Sequence, residues 1–264
     1  MDTAISRGVH LHNPSKAISL ITDQKTGSIT GIKLLNLLTH TESVIPCTKL
    51  VICAGPWSPK VFEDLFPSAK ISLPIIPLAG YSLLIRSPRH TLAHERDSYQ
   101  GRSHAVFTTH PRSCGFSPEL FSREGGEIYI AGLNDPSMSL PALSKDAANL
   151  KVQADKDKLH AVAVRLMGRL AEEEGQKEST DKISNVDDLE VTRESLCFRP
   201  VSTRGTPVVS KVKEHLIGDG IKGDVFVASG HGPWGISLSL GTGKVVADMV
   251  QGLKPSADVS RLGL

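Results

Sequence analysis

Cysteine, aromatic residues and an excess of one charge are all scarce in this 264-residue sequence. Its 4 cysteines are scattered without a C-x-x-C pair, which favours reduced thiols in a cytosolic compartment over a disulfide framework. Basic residues number 30 against 28 acidic ones, and no basic stripe with interleaved aromatics occurs, so no nucleic-acid partner is expected. Metal-ligand spacing is also missing, so no metal site is predicted at the histidines, which include His10, His12, His110 and His215.

Long apolar runs are absent as well. The longest fall far short of the roughly 18 residues of a membrane span, and no charged-then-apolar signal sequence opens the chain. The ending RLGL is not the S-K-L peroxisomal address. A hydrophobic content of 39% can supply a substantial core. We therefore expect a soluble, globular, cytoplasmic protein, while a targeting signal upstream of Met1 stays open.

The C-terminal region, residues 225–252, contains the most informative pattern. Val225 to Ala228 form a short, β-branched and aromatic run that is typical of a fully covered strand. Gly230, Gly232 and Gly235 follow, and helical spacing of apolar residues resumes at Val245. The pattern predicts a strand, a glycine turn and a helix whose N-terminus faces a ligand. Gly252 and Pro255 predict the end of this helix.

Residues 230–235 match G-x-G-x-x-G, but the dinucleotide-binding interpretation does not fit the rest of the segment. That motif needs a second strand after the helix, with an acidic residue about 20 positions on, and the chain stops at Leu264. Pro233 and the bulky Trp234 stand where a pyrophosphate turn uses small residues. We therefore expect the turn to contact a flat ring such as a flavin, whose reduced anionic form a helix N-terminus would stabilise.

A second strand and turn are predicted at residues 50–59. Leu50 to Cys53 read as another buried strand, which is broken by Ala54-Gly55 and ended by Pro56 and Pro59. Three segments in order resemble the FAD-dependent D-amino-acid oxidase and glycine oxidase superfamily, or DAO family. They are AG-x-W at 54–57, Phe198-Arg199-Pro200, and GHGPWG at 230–235 followed by GTGKVVAD.

The resemblance runs from about residue 5 to the C-terminus, and CFRPVSTRGTP and GISLSLGTGKVVADMV are most similar to a fungal branch of the family. It implies FAD as cofactor and a small molecule as substrate. It implies flavin-driven chemistry without a protein catalytic residue. The cofactor-binding positions that it implies are Val9, Ala54, Gly55, Trp57, Gly230, His231, Gly232, Trp234, Gly235 and Ile236.

Members of the family open with a strand, a true G-x-G-x-x-G turn and a helix, which this chain does not show. Its first residues read instead as the end of a helix that leads into a strand. We therefore expect a truncated chain, part of whose ADP cradle comes from elsewhere. The fold class implied is α/β: a truncated FAD/NAD(P)-binding Rossmann-like domain with an inserted antiparallel β-sheet substrate domain.

The predicted domains are a first FAD-domain part at 1–75, a substrate domain at 76–200 and a C-terminal FAD-domain part at 201–264. Strands are predicted around 17–46 as a hairpin or meander. An antiparallel sheet is predicted at 72–88, 104–110 and 127–133. A helix at 155–174 would bury one face, Leu159, Val162, Leu166 and Leu170. A solvated loop at 175–188 and a strand through Arg199 complete the prediction.

Arg199 and Tyr81 are the predicted substrate residues. By resemblance the Arg199 guanidinium pairs with a substrate carboxylate, for which its planar fork is suited; the alternative is an ordinary surface ion pair. Tyr81 lines the substrate side or belongs to the core. Arg204 replaces an acidic residue of the family pattern, which leaves the substrate class open.

Two further residues near these motifs have alternative interpretations. Cys197 is either a buried small thiol or a site of covalent flavin attachment. His231 is either a catalytic base or, as we favour, a residue that acts through its backbone. Trp57 and Trp234 are predicted to pack near the ring.

The predicted function is therefore that of a DAO-type, FAD-dependent oxidoreductase. It would oxidise a small carboxylated amine or amino-acid-like donor by hydride transfer to flavin. The alternative is a truncated, noncatalytic member that acts as an interaction protein, for example in membrane trafficking. Protein partners are not predicted.

Overall fold

The computed structural model describes residues 1–109, 115–150, 153–170 and 185–264. The strands are β1 (Ser15–Thr22), β2 (Ile29–Asn36), β3 (Glu42–Pro46), β4 (Lys49–Ile52), β5 (Ile75–Arg86), β6 (Ala105–Phe107), β7 (Glu119–Arg123), β8 (Glu127–Ala131), β9 (Asn134–Asp135), β10 (Glu190–Ser202), β11 (Val208–Lys211) and β12 (Asp224–Ser229). The α-helices are α1 (Asp2–Ser6), α2 (Ser58–Leu65), α3 (Gln153–Met167), α4 (Glu214–Ile217) and α5 (Gly235–Val250). The mixture of helices and several sheets confirms the predicted α/β class.

The described chain divides into two compact units. The first comprises Met1–Pro77 with Arg199–Leu264, and the second comprises Leu78–Phe198. The boundaries fall inside β5 and inside β10.

The first unit contains two three-stranded sheets. Strands β1, β2 and β3 form an antiparallel meander, as the sequence predicts. In the other sheet β12 lies between β11, to which it is antiparallel, and β4, to which it is parallel. Because parallel strands run in one direction, the turns that follow β4 and β12 leave the sheet at the same edge.

Helix α2 encloses the core of this unit. Pro59 is tolerated there because the first turn of a helix does not need its N–H. Phe62, Leu65 and Phe66 follow at the spacing of one helical face, and all three are buried against Val225, Val227 and their neighbours. The rings of Phe62 and Phe66 lie 5.1 Å apart between centroids.

Helix α5 ends as its sequence predicts. Gly252 has a positive φ of 73°, and its N–H donates to Met249 O while Leu253 N donates to Asp248 O. This is the glycine C-cap that satisfies the last carbonyls of a helix. The buried Asp248 carboxylate also accepts the N–H of Ser256 at 3.0 Å, which holds the chain after the helix.

The second unit is built on an antiparallel sheet in the order β10-β5-β8-β7-β6, with β9 also paired to β5. The structure confirms the predicted strands. His110, at the end of one of them, lies outside the described residues, and so does Cys114. Thr192 Oγ1 donates to Leu84 O at 3.2 Å between β10 and β5.

Helix α3 corrects the predicted buried face. It ends at Met167, and it buries Leu159 and Ala163, whereas Leu166 and Leu170 are exposed. The helix stops at Gly168, where a Cβ would lie 2.5 Å from Val164 O, so a residue with a side chain does not fit. The predicted loop at 175–188 falls largely on residues 171–184, outside the described part.

Candidate functional site

Two strand ends of the first unit lie side by side. Val227 of β12 is in register with Ile52 of β4, and Phe226 with Val51. The chain leaves β4 through Cys53 and Ala54 and leaves β12 through Gly230 and His231. Ligands of α/β proteins bind beyond the carboxyl ends of parallel strands, so this edge is the candidate site.

The same tripeptide forms both turns. Gly55-Pro56-Trp57 follows β4 and Gly232-Pro233-Trp234 follows β12, and each is a single 3₁₀ turn with a helix directly after it. The glycine φ values agree, at +55° and +56°, and a Cβ at either glycine would meet no atom within 4 Å. The repeated Gly-Pro-Trp is readable in the sequence, although the flanking residues alone predict two unrelated turns. We call the two turns, residues 55–57 and 232–234, the GPW turns.

A buried serine links the GPW turns. Ser229, the last residue of β12, is 2% exposed, and its hydroxyl donates to Gly55 O at 2.9 Å. Gly55 O also accepts the N–H of Ser58 within its own turn. The first turn is therefore joined by a side-chain hydrogen bond to the strand that leads into the second turn.

Gly230 is required for packing, in contrast to Gly232. Its φ is +87°, and a Cβ there would lie 3.2 Å from Ser202 Cβ and 3.5 Å from Ile75 Cγ1. Its role is thus the close approach of β12 to its neighbours, while the open space lies at Gly55 and Gly232.

His231 is anchored to helix α5. Its Nε2 lies 3.0 Å from Thr242 Oγ1, and burial lowers the pKa of its ring below the usual 6.5. The neutral ring is therefore favoured near neutral pH. The ring is thereby held against α5 through Nε2, and the backbone role of His231 stays a prediction.

Arg199 lies on the strand that pairs with His231, the residue before the second GPW turn. Val201, two residues on in β10, forms an antiparallel bridge with His231. Because strand residues two apart face the same side, the half-buried Arg199 side chain shares the side of Val201. Arg204, which departs from the family pattern, donates from Nη1 to Gly263 O and so holds the C-terminal segment.

Two sequence-based expectations about burial need correction. Strand β4 is not fully buried, since Val51 is exposed and Cys53 is exposed too. Cys197 is exposed rather than a buried thiol, with its Sγ 3.8 Å from Gly80 O. The reason is the same in both cases: the side chain faces away from the core on a half-covered strand.

Trp234 is exposed, and its predicted packing near the ring stays a prediction. It is 66% exposed, and Ile236 and Leu240 of α5 are 93% and 89% exposed. The start of α5 therefore presents a large apolar surface next to the second GPW turn. This exposure cannot be predicted from the sequence, because apolar residues at the start of a helix are typical of a buried face.

The remaining predicted residues fall in different places. Tyr81 is buried in the core of the second unit, so its substrate role stays a prediction. Val9 follows α1 and is exposed. In the described ranges no cluster of three or more His, Cys, Asp or Glu side chains could hold a metal ion. Nor does that part of the chain contain a helix with the length and apolarity that crossing a membrane demands.

Comparison with known proteins gives a family for this arrangement. The model of the family described as FAD dependent oxidoreductase (DAO) matches residues 1–249. A Schizosaccharomyces pombe protein, named provisionally as an oxidoreductase, is 29% identical over 227 residues, which cover 84% of this chain and 47% of that protein. The chain thus spans about half the length of this curated relative.

Solved structures share the fold. Glycine oxidase from Geobacillus kaustophilus superposes with a TM-score of 0.64 at 19% identity, over 99% of this chain and 54% of that one. Iminodiacetate oxidase from Chelativorans sp. BNC1 gives 0.65 at 15% identity, over 99% and 55% of the two chains.

Proposed function

Because the match covers residues 1–249, the chain belongs to the FAD dependent oxidoreductase family, and we propose that its GPW turns hold the flavin ring against a small carboxylated amine donor. The observation that carries this proposal is the pair of GPW turns at one sheet edge, with open space at both glycines. A planar ring can approach the backbone there, since no Cβ stands in its way.

The protein contributes position and electrostatics at this edge. Helices α2 and α5 begin directly after the turns, so their unpaired N–H groups and positive dipole ends face the proposed ring. When bound, FAD supplies the capacity to accept a hydride, which side chains lack. His231, whose Nε2 lies 3.0 Å from Thr242 Oγ1, is proposed to act through its backbone at this edge.

Arg199 is the proposed donor-binding residue. A guanidinium can hold both oxygens of a carboxylate in a fixed plane, and its strand bridges the second turn through Val201. Glycine oxidase and iminodiacetate oxidase, by their names, act on donors that carry a carboxylate and an amine nitrogen. These names support the donor class proposed here. The proposed cytoplasmic location rests on the scattered cysteines alone.

Anaerobic flavin reduction tests this function. With FAD in excess, the rate of flavin bleaching is measured against the concentration of glycine, iminodiacetate and D-amino acids. Arg199→Lys keeps the charge but loses the two-pronged geometry, so the efficiency of reduction should fall by roughly ten- to a hundredfold, with FAD still bound. Arg204→Lys is the matched control, because Arg204 holds the C-terminal segment.

An unchanged rate and apparent affinity in Arg199→Lys would assign Arg199 to structure and would remove the main support for a carboxylated donor. Absence of bleaching with every donor would favour the second candidate, a noncatalytic interaction protein, for example in membrane trafficking. The observation in favour of that candidate is the exposed apolar start of α5, which would suit a protein partner.

A further inference from the structure

Ser229 is a buried polar residue whose role the proposed function leaves unexplained. It closes β12 among apolar neighbours, and its hydroxyl donates to Gly55 O, 174 residues earlier in the chain. The bond reaches the glycine of the first GPW turn from the strand that carries the second.

The contribution of this bond to stability should be small. Gly55 O already accepts the N–H of Ser58, so loss of the Ser229 hydroxyl does not leave that carbonyl without a partner. Removal of a hydroxyl together with its only bond is far cheaper than leaving a buried partner unsatisfied. What the hydroxyl adds is a fixed orientation of the Gly55 carbonyl, and hence of the peptide planes in the first turn, relative to β12.

We infer that Ser229 is a positioning residue, which sets the two GPW turns at the separation and orientation that a flavin ring requires. The inference rests on the proposed function, because the turns need a fixed relation only if one ligand contacts both. A bound ring is sensitive to this relation, since misplacement of a preorganised site by a fraction of an ångström weakens binding.

Three variants test the assignment. Ser229→Ala removes the hydroxyl, and Ser229→Thr retains it. Ser210→Ala is the matched control, since Ser210 pairs with Val227 in the same sheet and its buried hydroxyl has no partner among the described residues. Thermal unfolding and circular dichroism confirm the fold of each variant.

FAD binding is measured by the quenching of tryptophan emission, because the chain has 2 tryptophans and each closes one GPW turn. We expect Ser229→Ala to raise the Kd for FAD about tenfold at nearly unchanged Tm, and Ser229→Thr to restore it. Ser210→Ala should bind like the wild type. Hydrogen exchange without FAD should show faster exchange of peptides 53–58 in Ser229→Ala alone.

Several results would overturn the positioning role. One is that Ser229→Ala and Ser210→Ala have the same FAD affinity and the same peptide exchange. Another is that Ser229→Ala loses the fold, and a third is that Ser229→Thr does not restore binding. Failure of the proposed function looks different: FAD then quenches neither the wild type nor the control. In that case faster exchange at 53–58 in Ser229→Ala would still establish the coupling between the turns, and unchanged exchange would refute it.

Discussion

The glycines around the site serve two separate purposes, and stability measurements can tell them apart. At Gly232 only a positive φ opposes a side chain, whereas at Gly230 the φ and a 3.2 Å approach to Ser202 Cβ both oppose it. Gly232→Ala should lower the free energy of unfolding by about 1–2 kcal/mol. Gly230→Ala should lower it by about 1–3 kcal/mol more, because of overpacking.

Urea unfolding of both variants checks this order, with Gly55→Ala as the equivalent of Gly232→Ala in the first turn. The order for FAD affinity should reverse, with Gly232→Val losing the cofactor while circular dichroism shows a retained fold. Normal FAD affinity in Gly232→Val would show that the turn serves only to begin α5.

His231 gives a pH dependence with a defined sign. Burial lowers its pKa in the folded protein below 6.5, so the unfolded chain binds a proton more readily. The stability that the neutral ring contributes is complete above about pH 6.5 and is lost as the pH falls from there toward the lower folded pKa. Acidification should therefore destabilise the wild type more than His231→Gln.

Urea unfolding at about pH 7 and about pH 5 measures this difference, and the exposed His215 provides the control substitution His215→Gln. The pH slopes of the two variants should differ from each other. The chain has 10 histidines, and the contribution of those that both variants retain cancels in this comparison. Equal slopes for His231→Gln and the wild type would contradict the burial effect.

At the scale of elements, helix α5 contains glycines that the described fold does not need. A Cβ at Gly241 or Gly243 would meet no atom within 4 Å, and neither has a positive φ. Since glycine costs about 0.5–1 kcal/mol relative to alanine inside a helix, Gly243→Ala should stabilise the protein by that amount. Gly168→Ala, whose Cβ would lie 2.5 Å from Val164 O, should destabilise it.

Thermal unfolding of Gly243→Ala and Gly168→Ala measures these two changes in stability. A stabilised Gly243→Ala would confirm that the surface of α5 is open in the purified chain. A destabilised Gly243→Ala would mean that another segment packs against the helix at that position.

Elements defined by local patterns were predictable from the sequence. The meander of β1 to β3, the strand β12 and the stop of α5 at Gly252 depend on alternation, β-branched residues and a glycine cap, which act within a few residues. The exposure of Cys197, Val51 and Trp234 was not predictable, because it depends on which faces other segments cover. The Ser229 to Gly55 bond joins residues 174 positions apart, so no local pattern could indicate it.

At the scale of the whole molecule, the candidate site is assembled from the distant segments 53–57 and 229–235, joined through β4 and β12. In the proposed function both segments would contact the flavin ring, and neither would account for the nucleotide part of FAD. The chain also covers only 47% of its Schizosaccharomyces pombe relative and 54% of glycine oxidase. We therefore expect ring contacts without the full set of contacts that a large dinucleotide needs.

The purified 264-residue chain should consequently be colourless after gel filtration, yet show tryptophan quenching when FAD is added in excess. Survival of a complex through gel filtration requires a Kd of about micromolar or lower, which is about 8 kcal/mol of binding free energy. Ring contacts at two turns should supply only part of that. Absorbance at the flavin bands, relative to protein, measures retention. A stoichiometric yellow spectrum after gel filtration would show that the described residues hold the whole cofactor, and would direct attention to contacts beyond the GPW turns.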